Sequence, residues 1–131
     1  MKLLLDTCTF LWWIADHPRL GIVARQAILE PHNECWLSAM SLWEALAKHS
    51  AGRLGIDSGD QSAFSFLCAQ CAASRIALLP IVAADTRHVC RLPDVHRDPF
   101  DRLLICQAIE HGLTLVTPDR HIRRYPIRTL W

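Results

Sequence analysis

Short apolar runs recur along the chain, and helical patterns fill the stretches between them. Leu3-Leu4-Leu5, Cys35-Trp36-Leu37, Ile76-Ala77-Leu78-Leu79 and Leu113-Thr114-Leu115-Val116 are too short for helices and contain no charge. That is the pattern of strands buried on both faces. The spacing predicts a strand over 2–6, helices to about residue 30, a strand near 35–38 and a helix over about 40–49. The last of these ends in the glycine-containing loop Ala51-Gly52-Arg53-Leu54-Gly55. An Ala-rich helix is expected over 60–73, then a strand over 76–79 closed by Pro80, and a further helix running to about Arg91 ahead of Pro93. A helix from Pro99 to His111 stops at Gly112, a strand over 113–116 follows, and a short helix from 119 and an extended piece over 127–130 finish the chain. Strands alternating with helices imply right-handed crossovers and a central, mainly parallel sheet between helical layers.

With 131 residues and 51% hydrophobic composition, the chain is expected to form one domain, 1–131, with a core that needs no disulfides. Six cysteines, Cys8, Cys35, Cys68, Cys71, Cys90 and Cys106, fall mostly in apolar stretches and read as small core fillers. Cys68-Ala69-Gln70-Cys71 has half of a zinc spacing and no second half. Lys2 and Asp6 interrupt the first apolar run before it reaches signal-peptide length, and no run approaches a membrane span, so the expected location is the cytoplasm.

Four acids change the picture. Asp6 and Asp119 follow predicted strands closely, Glu44 stands a few residues beyond another, and Asp101 opens a helix. Parallel strands deliver their C-terminal ends to one sheet edge, so these residues are positioned to meet. Like charges at close range disfavour joint ionisation, and a divalent cation resolves the conflict. Oxygen donors without a matching His or Cys set point to Mg²⁺ or Mn²⁺. Each acid also has a plain reading as a helix cap. Asp98-Pro99-Phe100-Asp101 is a helix start with Asp98 as N-cap, Ser41-Leu42-Trp43-Glu44 fits a capping box, and Thr117-Pro118-Asp119 resembles a third start. The capping reading accounts for each acid singly but not for their common edge. A net charge of +1 hides a cluster of bases around the last two acids, His96, Arg97, Arg102, Arg120, His121, Arg123 and Arg124, which suits a phosphodiester substrate.

The chain resembles the PIN-domain family, and within it the VapC-type ribonuclease toxins of bacterial toxin–antitoxin pairs. The residues that carry the likeness are Leu3-Leu4-Leu5-Asp6-Thr7 with Phe10-Leu11-Trp12-Trp13, then Ser41-Leu42-Trp43-Glu44, His96-Arg97-Asp98-Pro99-Phe100-Asp101-Arg102-Leu103-Leu104-Ile105, and Leu115-Val116-Thr117-Pro118-Asp119. The resemblance spans nearly the whole chain. It implies a three-layer α/β/α sandwich in which Asp6, Glu44, Asp101 and Asp119 bind one or two Mg²⁺ or Mn²⁺ ions and cut RNA internally. It also implies an accessory role for Asp98 and supporting hydrogen bonds from Thr7 and Thr117. Arg97, Arg102 and Arg120 are expected to face RNA phosphates. An antitoxin segment is expected on a groove containing Phe10, Trp12 and Trp13, unless these rings fill the core, and a homodimer is the usual assembly. Cys8 stands where the subgroup often has His.

Other classes fit less well. A haloacid-dehalogenase-like phosphatase needs an acid at position 8, and a receiver domain needs a lysine after a late strand; this chain has Cys8 and no lysine in Ile127-Arg128-Thr129-Leu130. A housekeeping PIN ribonuclease or a non-catalytic RNA- or protein-binding PIN module are the alternatives that share the fold.

Overall fold

The computed structural model describes all 131 residues. Five strands, β1 (Lys2–Leu5), β2 (Glu34–Ser38), β3 (Ile76–Leu79), β4 (Thr114–Val116) and β5 (Thr129–Leu130), form one wholly parallel sheet in the order β3-β2-β1-β4-β5. The helices are α1 (Thr7–Ile14), α2 (Ile22–Leu29), α3 (Ala39–Ser50), α4 (Ala63–Ala73) and α5 (Pro99–His111). Side chains alternate across the strands and so divide the core in two. Leu3, Leu5, Cys35, Leu37, Ile76 and Val116 pack with Phe10, Ala24, Ile28, Ala45 and Leu67 from α1 to α4. Leu4, Leu79 and Leu115 pack on the opposite face with Leu104, Ile105 and Ala108 of α5. The result is the three-layer α/β sandwich expected from the alternation.

Strand β1 lies at the centre, and the chain moves from it to β2 on one side and reaches β4 on the other. Leu5 pairs with both Leu37 and Val116, so Asp6, Ser38 and Thr117 stand at one level at the end of their strands. The reversal of strand order between β1 and β4 opens a crevice at the C-terminal edge, the usual place for a site in such sheets.

Several expected helices differ. The stretch expected as a helix up to Arg91 is a 3₁₀ segment, Ala83–Arg91. There the Thr86 hydroxyl and the Arg87 side chain donate to the carbonyls of Ala83 and Ala84, competing with an α-helical ladder. The helix expected from 119 is a single 3₁₀ turn, Ile122–Arg124, ended by Tyr125 and Pro126. Helix α3 starts earlier than the Ser41-to-Glu44 pattern predicts. Its N-cap is Ser38, whose hydroxyl accepts from the Met40 amide, so β2 runs directly into the helix. Ser41 is buried with its hydroxyl unpartnered, and Glu44 lies in the second turn rather than the first. No helix is long and apolar enough to cross a membrane.

Candidate metal centre

Asp6 is the first residue past β1 and also the N-cap of α1: its Oδ1 accepts from the Thr9 amide at 2.7 Å. The Thr9 hydroxyl donates to the Val116 carbonyl at 3.0 Å, so one threonine links the start of α1 to the end of β4. Thr117 also hydrogen-bonds Asp6, and its Oγ1 accepts from the Asp119 amide at 3.1 Å. Thr117 is thus placed between Asp6 and Asp119. Thr7 forms part of the cavity wall, while the second threonine bonded to Asp6 is Thr9. Thr9 was legible as the third helical residue after an aspartate cap, a position whose amide such a cap engages.

Helix α5 begins in the same way. Asp98 Oδ1 accepts from the amides of Phe100 (2.9 Å) and Asp101 (3.4 Å), Pro99 occupies the first turn, and Gly112 closes the helix with φ +64°. Asp101 thereby projects from a fixed first turn. Around an open cavity of about 320 Å³ the fold brings together Asp6, Thr7, Cys8, Glu44, Asp101, Pro118 and Asp119. All four expected acids are in this set. Lys48 is the cation beside it, with Nζ 3.7 Å from Glu44.

His96 is the site residue that the sequence left unassigned beyond its charge. Its Nε2–H donates to Asp101 Oδ2 at 2.7 Å, lies 3.8 Å from Asp119 Oδ2, and its ring stacks on His121 with centroids 5.3 Å apart. The backbone of His96 is held as well, donating to the Tyr125 hydroxyl at 2.9 Å. Arg102 departs from its expected role as a phosphate contact. Its guanidinium donates to the carbonyls of Val89, Pro93 and His96 and to the Tyr125 hydroxyl, so it clamps the loop before α5. Arg97 and Arg120 are exposed.

The charges in the cavity are unfavourable without a cation. Burial raises the Asp6 carboxyl above its ordinary value, against the hydrogen bonds from Thr117 and Thr9. Burial and then the charge of Asp98 push Asp101 up to about 6, although His96 pulls the other way. The Cys8 thiol is pushed up to about 12 by burial and by Asp6, so it faces the acids as a neutral group. A donor set made of carboxylate oxygens fits a hard divalent ion. His96, Asp98 and Asp101 have ligand atoms within 4.8 Å of one another. In that trio Asp98 already caps α5 and His96 already bonds Asp101, whereas the cavity itself is lined by Asp6, Glu44, Asp101 and Asp119. All six cysteines are free, and no zinc-type cluster includes Cys68 or Cys71.

The expected aromatic groove needs revision at two rings. Phe10 is 1% exposed and belongs to the core, and Trp13 Nε1 donates to Ser74 Oγ at 2.9 Å. Only Trp12 lines the groove, stacked on His17. That groove, about 700 Å³, runs between α1, α3 and the loop at residues 53–57, and shares Thr7, Cys8 and Glu44 with the acid cavity.

A family model described as PIN domain matches residues 3–127, and the chain belongs to that family. Its place within the family is the VapC branch. It is 35% identical over 125 residues to Ribonuclease VapC22 of Mycobacterium tuberculosis, covering 93% of this chain and 90% of that one. Crystal structures share the fold across 99% of this chain. VapBC2 from Rickettsia felis, bound to a DNA fragment from its promoter, matches over 98% of its own chain with TM-score 0.75 and 22% identity. VapBC from Salmonella typhimurium, also DNA-bound, matches over 97% with TM-score 0.65 and 21% identity.

Proposed function

We propose that the protein is a Mg²⁺- or Mn²⁺-dependent endoribonuclease acting as the toxin of a type II toxin–antitoxin pair. The observation that carries this reading is the convergence of Asp6, Glu44, Asp101 and Asp119 on one open cavity at the strand-order reversal. When bound, a hard divalent ion supplies the positive charge that activates water and stabilises the leaving oxygen in phosphodiester hydrolysis. The chain supplies position. Asp6 and Asp101 present the principal ligand carboxylates, Asp6 fixed by Thr9 and Thr117 and Asp101 by His96. Glu44 and Asp119 complete the ligand set or orient the attacking water. Asp98 acts through the α5 cap, and Arg97 and Arg120 steer phosphates from the rim. A bound cation would oppose the rise to about 6 that burial and then Asp98 impose on Asp101, so the site would hold its charge when loaded.

The partner in this reading is an antitoxin segment lying in the groove beside Trp12 and reaching the acids through Cys8 and Glu44. A homodimer and a cytoplasmic location belong to the same proposal. The test is cleavage of a mixed structured RNA pool with Mg²⁺ or Mn²⁺ and then with EDTA, beside Asp101→Asn. Metal-dependent cutting lost in the variant is the expected result; cutting that survives either EDTA or the substitution sinks the mechanism.

A further inference from the structure

One buried hydroxyl has all of its hydrogen bonds committed to the loop that carries His96. Tyr125 is 3% exposed, and its ring packs in the core with Leu4, Leu104 and Leu115. Its Oη accepts from the His96 amide at 2.9 Å and from Arg102 Nη1 at 3.1 Å, and donates to the His96 carbonyl at 3.3 Å. A phenol donates once and accepts twice, so nothing is left over. Both backbone groups of His96 therefore end on one atom, and that atom is anchored in the core. The neighbours Pro93, Asp94 and Arg97 are exposed, so a single residue of this loop is pinned while the chain around it meets water.

The pinned residue stands between two acids that repel one another. The His96 ring donates to Asp101 Oδ2 at 2.7 Å and lies 3.8 Å from Asp119 Oδ2. Both acids are tied closely to the hydroxyl. Arg102 follows Asp101 on α5, while Tyr125 lies one bonded turn beyond Asp119, whose carbonyl accepts from the Arg123 amide. Inside that turn the His121 amide donates to Asp119 Oδ1 at 2.7 Å, and the His121 ring stacks on His96. We infer that Tyr125 is a positioning residue for the cation site: its hydroxyl, with Arg102, holds His96 so that the imidazole keeps Asp101 and Asp119 arranged to receive a divalent ion. The inference rests on the metal-dependent nuclease reading. Tyr125 is absent from the cavity wall and acts only through His96. Groups that orient metal ligands from behind govern affinity without touching the ion. A purely structural hydroxyl makes a different demand, since its loss lowers stability and leaves ion affinity of the folded protein unchanged.

The experiment is Mn²⁺ binding without RNA, read from the electron paramagnetic resonance of the free ion, well below the melting temperature of each protein. Wild type is compared with Tyr125→Phe, His96→Ala, His96→Gln and the Tyr125→Phe/His96→Ala double variant. His96→Ala is expected to raise the dissociation constant about tenfold, and Tyr125→Phe to raise it by a smaller factor. The double variant binds no more weakly than His96→Ala, because the hydroxyl then has nothing to position. His96→Gln keeps an N–H at similar reach and retains most of the affinity. Unchanged affinity in Tyr125→Phe, whatever its stability, overturns the inference, as do losses that simply multiply or a His96→Ala that binds like wild type. Should Tyr125→Phe fail to fold, Arg102→Met removes the other hold on His96 and is judged by the same cycle. If wild type binds Mn²⁺ yet cuts no RNA, the nuclease reading fails and the affinities still decide Tyr125. If wild type binds no Mn²⁺, both fall.

Discussion

The two ends of α5 treat buried acids in opposite ways. In its first turn Asp101 stands among Asp6, Glu44, Asp98 and Asp119, with His96 as its hydrogen-bonded partner, and its carboxyl is pushed up to about 6. In its last turns Gln107 and His111 reach Asp85, which is fully enclosed. There Oδ1 accepts from His111 Nε2 at 2.7 Å, and Oδ2 accepts from Gln107 at 3.1 Å and from the Val82 amide at 2.9 Å. Burial alone would raise the Asp85 carboxyl, yet the bonds from Val82, Gln107 and His111 hold it below the ordinary range. One end is satisfied by the chain itself and secures the 3₁₀ segment to α5. The other is left electrostatically incomplete, the condition of a site awaiting a cation.

The largest expected effect at the incomplete end is on turnover. Asp6→Asn or Asp101→Asn reduces RNA cleavage below detection while circular dichroism stays native, since each keeps a side chain of the same shape. At the satisfied end the effect falls on stability. Asp85→Ala strands His111, Gln107 and the Val82 amide, and should cost about 3 kcal/mol in urea denaturation. Cleavage measured well below the melting temperature should persist in that variant. Addition of Mg²⁺ or Mn²⁺ at a hundredfold excess over its dissociation constant stabilises wild type by about 2.7 kcal/mol. EDTA reverses that gain, and Asp101→Asn weakens it, as a thermal-shift titration would show.

The smallest effect has the most informative sign. Asp101 has a folded value near 6 against an ordinary 3.8, so the folded metal-free protein holds its proton more tightly than the unfolded chain. Stability contributed by that proton is present below about pH 4 and is lost as the pH rises through 6. Asp101→Asn should therefore stabilise the metal-free protein at pH 8, by about 1 kcal/mol after screening by solvent, and the gain should shrink towards pH 4. Asp85 has the opposite sign. Its lowered carboxyl contributes stability above the ordinary value and loses it on acidification, so Asp85→Asn should be penalised at pH 8 and approach wild type in acid.

The sheet and the acids were legible because both depend on local patterns with a fixed geometric consequence. Uncharged apolar runs make buried parallel strands, and parallel strands bring Asp6 and Asp119 to one edge whatever the loops do. The helix over about 40–49 was legible but its cap was not, because Ser38 and Ser41 are both good caps and the choice depended on where β2 stops pairing with β3, at Ser38 opposite Leu79. His96 and Arg102 were hidden for a related reason. As bases near acids they read alike, and only the folded loop shows that one faces Asp101 while the other is enclosed by carbonyls. Asp85 drew no attention in the sequence at all, since its partners Gln107 and His111 lie more than twenty residues away.

The central position of β1 also governs when the protein can work. Its outer neighbour β4 and the acid at 119 are made more than a hundred residues after Asp6, and the Asp6 amide itself bonds the Val116 carbonyl. Pairings of such sequence separation form late and slowly. A growing polypeptide on the ribosome therefore lacks its fourth acid, and the β1–β4 pairing that sets Asp6 beside it, until residue 119 has emerged, so no finished site exists before the chain is nearly complete.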